Sequence, residues 1–243
     1  MKILHISALP VWPIEGKGGM PSLLETLRGH VRAGHQVTLV LPRYQLFKDT
    51  PLRISANDEE QFETHFAECR WAPALMAARR ICRRLGSGKE PPYVLRWLLN
   101  FSLFCLLTVS MVLAGLKIRF RHKRKFHLVY ANNQYTSLAG WILGKLFRVP
   151  NVTRLYGTFL ADLMKRRFVT LRYPTAAAGY LVTHSLLICG NDGTRGDEVA
   201  RKMKVDLKKF RFWQNGVDLP SKAFEGTRDD ILLRFPDSRL RTD

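Results

Sequence analysis

Cysteine, acidic residues and low-complexity segments are all scarce in this sequence, and each shortage excludes a class of protein. The four cysteines among 243 residues are scattered, and no pair has the spacing of metal ligands. We therefore expect no disulfide framework and no metal site, and a reducing cytoplasm is the simplest compartment. No internal repeat is visible, and 46% of the residues are hydrophobic. This is the composition of a folded domain rather than a disordered chain.

The N-terminus also lacks the features of a secretory signal. Lys2 to Leu9 is a short, strand-like run, and Glu15 to Gly19 interrupts it before an apolar signal region could form. We therefore expect the beginning of the chain to be part of the fold.

Negative charge is in short supply, since 39 Lys+Arg residues face 20 Asp+Glu residues, with a net charge of +19 and a pI near 10.3. Such a field favours polyanionic partners, namely nucleic acid, anionic lipid or phosphorylated substrates. The aromatic residues are not interleaved with the basic runs in any nucleic-acid-binding motif, so we expect no nucleic-acid partner. The basic residues concentrate in four segments, 79–84, 117–125, 165–172 and 201–211.

What the sequence does contain is an alternation of short apolar runs with amphipathic stretches. Ile3 to Ser7 has the pattern of a buried strand, Met20 to Gly34 that of a helix, and Gln36 to Leu41 that of a second strand. This βαβ unit predicts an α/β fold, a doubly wound, Rossmann-like parallel sheet with helices on both faces.

The same alternation continues in the second half of the chain. It predicts strands at 128–131, 152–155, 185–189 and 210–213, and helices at 137–147, 176–183 and 195–203. Residues 43–92 are less regular, and one basic helix at about 74–85 is predicted there.

One apolar segment stands apart from this pattern. Trp97 to Leu116 carries no charge and has about the twenty residues that a membrane-crossing helix needs. Basic residues follow it at once, between Lys117 and Lys125. Three interpretations are open: a helix buried in the α/β domain, a helix lying in the plane of a membrane with a basic rim, and a true span. A span would put the two halves of the predicted sheet on opposite sides of the membrane.

A glycine-rich segment, Glu15-Gly16-Lys17-Gly18-Gly19, lies between the first strand and the first helix. Glycines let the backbone turn sharply and approach a ligand, and amides at a helix N-terminus can hold an anion. The spacing is not that of a dinucleotide loop, because Pro21 stands where the third glycine would be. An anion-binding loop and a plain turn with positive φ both explain these glycines.

Five short segments, in order along the chain, resemble the N-terminal domain of family-four glycosyltransferases of the GT-B fold. The first joins Gly18-Gly19-Met20-Pro21 to the lead-in of the second strand at 33–40. The other four are 127–133, 154–158, 188–194 and 215–218. Each match is short, but five in the right order make a specific signal.

The resemblance implies a retaining transfer of sugar from a nucleotide-diphosphate sugar to a glycan or lipid-linked acceptor bound by this domain. Relatives need no divalent metal, because dipoles and basic side chains of a second domain steady the leaving diphosphate as charge develops on it. We therefore expect no metal and no cofactor, and the nucleotide sugar acts as the donor substrate.

On this template the substrate-binding residues lie in the cleft between two domains. The matching residues are Gly16, Gly18, Gly19, Asn132, Asn133, Tyr156, Gly157 and Thr158. Many relatives have histidine in place of Asn132 and of Tyr156. Amide and phenol groups can bond a sugar hydroxyl but do not titrate near neutral pH, so the catalytic residue stays unassigned. A polar cap that closes a strand would explain Asn132 and Asn133 equally well.

The resemblance also divides the chain. Residues 1–219 correspond to the N-terminal domain, and 220–243 to the lead-in of a C-terminal donor-binding domain whose residues this sequence lacks. We expect this chain to be inactive alone and to act with a donor-binding half. The alternative is a catalytically silent acceptor- or membrane-binding module that works with a partner chain. The basic segments suit docking to anionic lipid, or to a lipid-diphosphate acceptor, at the inner face of the plasma membrane in cell-surface polysaccharide synthesis.

Overall fold

The computed structural model describes residues 1–9, 21–43, 62–68, 93–190 and 193–213, and positions 71, 74, 75, 77, 78 and 81. Seven strands form one sheet in the order β3-β2-β1-β4-β5-β6-β7, and every neighbouring pair is parallel. Their bounds are β1 Lys2–Ser7, β2 Gln36–Pro42, β3 Glu63–Ala67, β4 Leu128–Asn132, β5 Asn151–Leu155, β6 Leu186–Gly190 and β7 Phe210–Trp213. The predicted doubly wound α/β fold is confirmed.

Seven helices of the described residues pack against this sheet or beside its carboxyl ends. They are α1 Pro21–Arg32, α2 Tyr93–Arg121, α3 Ser137–Phe147, α4 Leu160–Leu163, α5 Val169–Arg172, α6 Pro174–Leu181 and α7 Gly196–Lys202, and a 3₁₀ turn spans Leu207–Lys209. In β2, Val40 packs into the core beneath α2 and α3, whereas Leu39 and Leu41 pack on α1. The strands are therefore apolar on both faces, as a parallel sheet between two helix layers requires.

The apolar run at 97–116 forms the middle of α2, a helix of 29 residues. Leu107, Met111 and Ile118 on one side of this helix are 0%, 0% and 2% exposed, and they pack with Leu4 and Val129 of the sheet. α2 lies in the chain between two strands of the same sheet. A helix packed on the sheet therefore accounts for this side of α2, and a span would require these contacts to be lost.

The other side of α2 is apolar and exposed. Val109, Leu113 and Phe120 are 54%, 60% and 71% exposed. Among the described residues, α2 is the one helix long and apolar enough to cross a bilayer, a criterion that core helices also meet, and 44% of its most apolar 18-residue window is buried.

One strand and two helices were not predicted, nor was the 3₁₀ turn. β3 reads Glu-Thr-His-Phe-Ala and lies at the edge of the sheet, partly exposed, so its sequence lacks the apolar run that marks the inner strands. α4 and α5 have four residues each, which is too short for a helical period to show. Of the basic helix predicted at about 74–85, the described positions 74, 75, 77, 78 and 81 are helical. The domain division at 219/220 lies outside the described residues and stays a prediction.

Candidate functional site

The strand order places a crevice at the carboxyl ends of β1 and β4. The chain runs outward from β1 through β2 and β3 to one edge, and from β4 through β5, β6 and β7 to the other. In open α/β sheets, ligands bind outside the carboxyl ends of the strands at the point where the order reverses. The last residues of the two strands, Ser7 and Asn132, are register partners at this point. The topology therefore places the predicted residue Asn132 at the expected crevice.

The side chain of Asn132 is buried and fully used within the protein. Its Nδ2 lies 3.3 Å from the backbone oxygen of Ile6 and 3.3 Å from Nδ1 of His5. Its Oδ1 accepts a hydrogen bond of 3.1 Å from the Tyr156 hydroxyl. With an exposure of 0%, Asn132 in this conformation positions Tyr156 and His5 beneath the crevice.

Asn133 differs from its neighbour because part of its amide has no partner. Its backbone is left-handed, with φ of 76°, and its Oδ1 accepts a 2.8 Å hydrogen bond from the backbone N–H of Tyr135. This bond fixes Oδ1, so the other amide atom is Nδ2, which is buried and without a hydrogen-bond partner. A buried donor without a partner costs about 1–3 kcal/mol. A ligand acceptor atom in the crevice would remove this cost.

The segment Tyr156-Gly157-Thr158 follows β5 and forms the next part of the crevice. The backbone N–H of Thr158 donates to Oγ1 of Thr194 at 2.9 Å, and Thr158 Oγ1 accepts from the Leu160 backbone N–H at 3.1 Å. Gly157 has φ of 135°, where a residue with a Cβ would be strained. Burial raises the pKa of the Tyr156 phenol above its ordinary value, so this group stays neutral across the physiological range.

The predicted residues of β4 and β5 meet in one open cavity of ≈ 290 Å³. Asn133, Tyr156, Gly157 and Thr158 line it, and Asn132 lies beneath Tyr156. Gly16, Gly18 and Gly19 lie outside the described residues. Within the described ranges, no group of three or more His, Cys, Asp or Glu side chains could hold a metal ion.

A histidine pair, of which His5 is buried and His30 is half-buried, continues this site toward α1. His5 Nε2 lies 2.9 Å from His30 Nδ1, and the His5 ring stacks on Tyr130 with centroids 4.7 Å apart. Burial, and then the charge of His30, hold the pKa of His5 well below 6.5. His30 also has a lowered pKa, because of burial and then of His35 and Arg154. Both rings are therefore neutral at pH 7. The bond from Asn132 makes Nδ1 of His5 an acceptor, so Nε2 donates to His30.

Arg154 supplies positive charge beside these groups. Its guanidinium lies over the Tyr156 ring, 5.3 Å from the centroid, and its Nη1 donates to the Thr26 hydroxyl of α1. This arginine therefore ties the end of β5 to α1 on the side of the sheet that carries His5.

Sequence patterns predicted Asn133 as a site residue but did not single out His5 or His30. A histidine inside the otherwise apolar run of β1 was the available signal, because a polar ring in a buried strand needs hydrogen-bond partners. The identity of those partners depends on the register of β1 with β4 and on the packing of α1, which a single sequence does not give.

No protein-family model matches the chain, and no curated protein matches its sequence. Its fold is similar to those of solved glycosyltransferases. Sucrose-phosphate synthase from Thermosynechococcus elongatus gives a TM-score of 0.55 at 16% identity, over 89% of this chain and 48% of that one. A second structure of that enzyme gives 0.51 at 13% identity, over 89% and 90%. Arabidopsis thaliana UGT89C1, solved with UDP-L-rhamnose, gives 0.55 at 16% identity, over 91% and 53%.

At these identities the likeness establishes the fold, which is the Rossmann-like α/β sheet of GT-B glycosyltransferases. The chain spans about half the length of UGT89C1 and of the longer sucrose-phosphate synthase chain.

Proposed function

We propose that this chain is the acceptor-side domain of a nucleotide-sugar-dependent glycosyltransferase of family four. With a donor-binding domain, it transfers a sugar from a nucleotide-diphosphate sugar to a glycan or lipid-linked acceptor, with retention of configuration and without a metal ion. One observation carries the proposal. Residues that match the glycosyltransferase pattern meet at the switch point of a sheet whose fold is shared with glycosyltransferases.

The chemistry of the crevice suits an acceptor hydroxyl. The Tyr156 hydroxyl donates its hydrogen bond to Asn132, so its oxygen can act toward a ligand only as an acceptor. The buried Nδ2 of Asn133 offers a hydrogen to an acceptor. A sugar hydroxyl both donates and accepts, and it therefore matches this pair. Neither group exchanges a proton near pH 7, so their part is to bind and orient the acceptor, while the leaving diphosphate is stabilised by the donor-binding domain.

The partner surface that we propose is an anionic membrane, at the inner face of the plasma membrane. The support comes from apolar and basic residues that occur together on exposed segments. Phe168 and Leu171 are 71% and 64% exposed, and they follow the basic run Lys165-Arg166-Arg167, which is also exposed. Such a mixture gives both hydrophobic insertion and attraction to anionic headgroups.

The test is a transfer assay on the protein expressed from its full reading frame, incubated with membranes and a panel of radiolabelled UDP-, GDP- and dTDP-sugars. We expect label from one donor to enter an acceptor, unchanged by EDTA, with the donor's anomeric configuration in the product by NMR. Thr158→Val should lower transfer at least about tenfold if its hydroxyl bonds the substrate. Thr170→Val, at an exposed position of α5, is the matched control and should leave the rate unchanged.

A catalytically silent binding module is the second candidate. It is favoured by the absence of a group that titrates near neutrality among the described lining residues of the crevice. Failure of every donor in the panel, with retained acceptor or vesicle binding, would select this candidate and exclude the transferase.

A further inference from the structure

The first ten residues of α2 extend past the sheet. A helix of 29 residues is about 43 Å long at 1.5 Å per residue, whereas the seven-residue strand β2 spans about 23 Å. Among the positions of α2 whose burial is described, the first buried one is Leu103. The C-terminal end of α2 leads into the amino end of β4, so the N-terminal end of α2 points toward the carboxyl ends of the strands. We name residues 93–102 the overhang and residues 103–121 the packed segment. The overhang therefore lies at the carboxyl edge, where the candidate site is.

A pocket of ≈ 270 Å³ lies between the overhang and the segment from α5 to α6. Two aromatic pairs form its walls. Trp97 and Phe101 are stacked with centroids 5.1 Å apart, and Phe159 and Tyr173 meet edge to face at 5.4 Å. The indole Nε1 of Trp97 donates a 2.8 Å hydrogen bond to the backbone oxygen of Leu171, which joins the overhang to α5.

Two arginines line the pocket, and the pocket shares lining residues with the crevice. Arg96 and Arg172 line it, and its described lining contains no acidic residue. Gln134 and Phe159 line both the pocket and the open cavity of Asn133 and Thr158. A ligand held in the pocket can therefore present a group to the crevice.

The overhang and α5, which bound the pocket, also carry exposed apolar side chains next to its lining residues in the sequence, and we call these side chains the rim. On the overhang, Val94, Leu95 and Leu98 are 65%, 38% and 49% exposed, and Leu171 on the other side is 64% exposed. A free sugar or an inorganic anion has no apolar surface to bury against such a rim. The chain of a lipid that enters from a membrane would bury apolar surface there.

We propose that this pocket binds the acceptor as an anionic amphiphile, in which an apolar chain carries a phosphate or diphosphate group. The aromatic pairs contact the chain, Arg96 and Arg172 bind the phosphate oxygens, and the sugar-bearing end reaches the crevice past Gln134 and Phe159. This inference rests on the proposed function, because it names the acceptor class of that same transfer.

The test measures binding separately from transfer. Tritiated farnesyl diphosphate, below the concentration at which it forms micelles, is dialysed to equilibrium against the protein and competed with farnesol or inorganic pyrophosphate. We expect each competitor, which has only the chain or only the charge, to bind at least about tenfold more weakly than farnesyl diphosphate. Farnesyl diphosphate that binds no tighter than pyrophosphate would overturn the proposal.

Charge-removing variants assign the site. Arg96→Gln and Arg172→Gln should each weaken farnesyl diphosphate binding about tenfold, the effect of losing one charge-assisted hydrogen bond, and should change farnesol binding little. Arg32→Gln is the matched control, because Arg32 is exposed at the end of α1, does not line the pocket and lies outside the proposed membrane surface. Asn100→Trp, which adds a large side chain at an exposed lining position, should block the chain and the diphosphate together. Equal effects of Arg32→Gln and the two lining variants would refute the site.

Failure of this inference is distinguishable from failure of the function. Transfer to a soluble sugar acceptor without farnesyl diphosphate binding would remove the lipid acceptor and leave the transferase. Site-specific farnesyl diphosphate binding without transfer from any donor would leave the pocket assignment and remove the transferase.

Discussion

The overhang and the packed segment of α2 are both rich in apolar residues, but the packed segment lies against the sheet and the overhang extends beyond it. The packed segment places Leu107, Met111 and Ile118 in the core over the sheet, whereas no described residue of the overhang is buried. One apolar run therefore serves two purposes. Its later part stabilises the sheet, and its earlier part forms a pocket wall and an exposed rim.

A hydropathy pattern cannot separate these two parts, because it reports composition and not the length of the neighbouring strands. The predictions below separate them experimentally, and they run from the largest expected effect to the smallest.

The largest effect is expected in the packed segment. Met111→Ala removes a side chain of 0% exposure and should lower the free energy of unfolding by about 3 kcal/mol, because a cavity remains in the core. Leu113→Ala, two residues away and 60% exposed, should cost about 0.5 kcal/mol or less. Urea denaturation of the two variants gives the comparison. Equal losses would mean that α2 does not pack on the sheet by the Met111 side.

The pH dependence of stability should come from the core rather than from the overhang, which contains no histidine. Burial lowers the pKa of His184 to about 4, although the Gly179 carbonyl opposes this shift. The unfolded chain, with a histidine pKa near 6.5, therefore binds protons more readily than the folded protein. Stability is complete above about pH 6.5 and is lost as the pH falls toward 4, by about 2 kcal/mol between pH 7.5 and 5 for His184 alone. The buried His5 and the half-buried His30 add to this loss in the same direction.

Urea denaturation at several pH values measures this slope. His184→Gln keeps a donor for the Gly179 carbonyl and removes the titrating ring, so its profile should be flatter between pH 6.5 and 4. A variant with the wild-type slope would contradict the assignment to His184.

A second contrast, between a satisfied and an unsatisfied buried amide, occurs at the end of β4. Asn132→Ala leaves the Tyr156 hydroxyl and His5 Nδ1 without their partner and should cost about 2 kcal/mol of stability. Asn133→Ala removes one bond to Tyr135 and an amide nitrogen that has no partner, so it should cost about 1 kcal/mol.

Ligand binding should show the reverse order. Asn133→Ala should weaken binding of the acceptor more than Asn132→Ala does, since only the Asn133 donor is unsatisfied within the protein. Equal losses of binding would indicate that Asn132 contacts the ligand itself.

Much of the architecture could be predicted from local patterns. The bounds of α3 and β7 match their predictions at Ser137–Phe147 and Phe210–Trp213, because each is a compact apolar segment with clear ends. The crevice was predictable too, since Asn132 and Tyr156 directly follow or end buried strands, and the carboxyl ends of parallel strands share one edge.

The remaining features depend on contacts between distant segments. Whether the Asn132 amide is available to a ligand depends on its contact with His5, which lies 127 residues earlier in the chain. The two ends of α2 differ because the strands beneath it are short, and the pocket exists because Trp97 meets Leu171, 74 residues later. Edge strand β3 was missed because its partly exposed sequence carries little apolar signal.

The smallest expected effect on stability discriminates between two ways of meeting a membrane. Leu98 of the overhang is 49% exposed and Leu113 of the packed segment is 60% exposed, so Leu98→Ser and Leu113→Ser should each change the free energy of unfolding by about 0.5 kcal/mol or less.

Docking at the pocket rim predicts that Leu98→Ser lowers sedimentation with phosphatidylglycerol–phosphatidylcholine vesicles about fivefold, because about 1 kcal/mol of apolar contact with lipid is lost. Leu113→Ser should then bind like the wild type. Equal losses would mean that the whole outer side of α2 lies in the membrane plane, and a loss confined to Leu113→Ser would place the membrane away from the pocket and contradict entry of the acceptor at its rim.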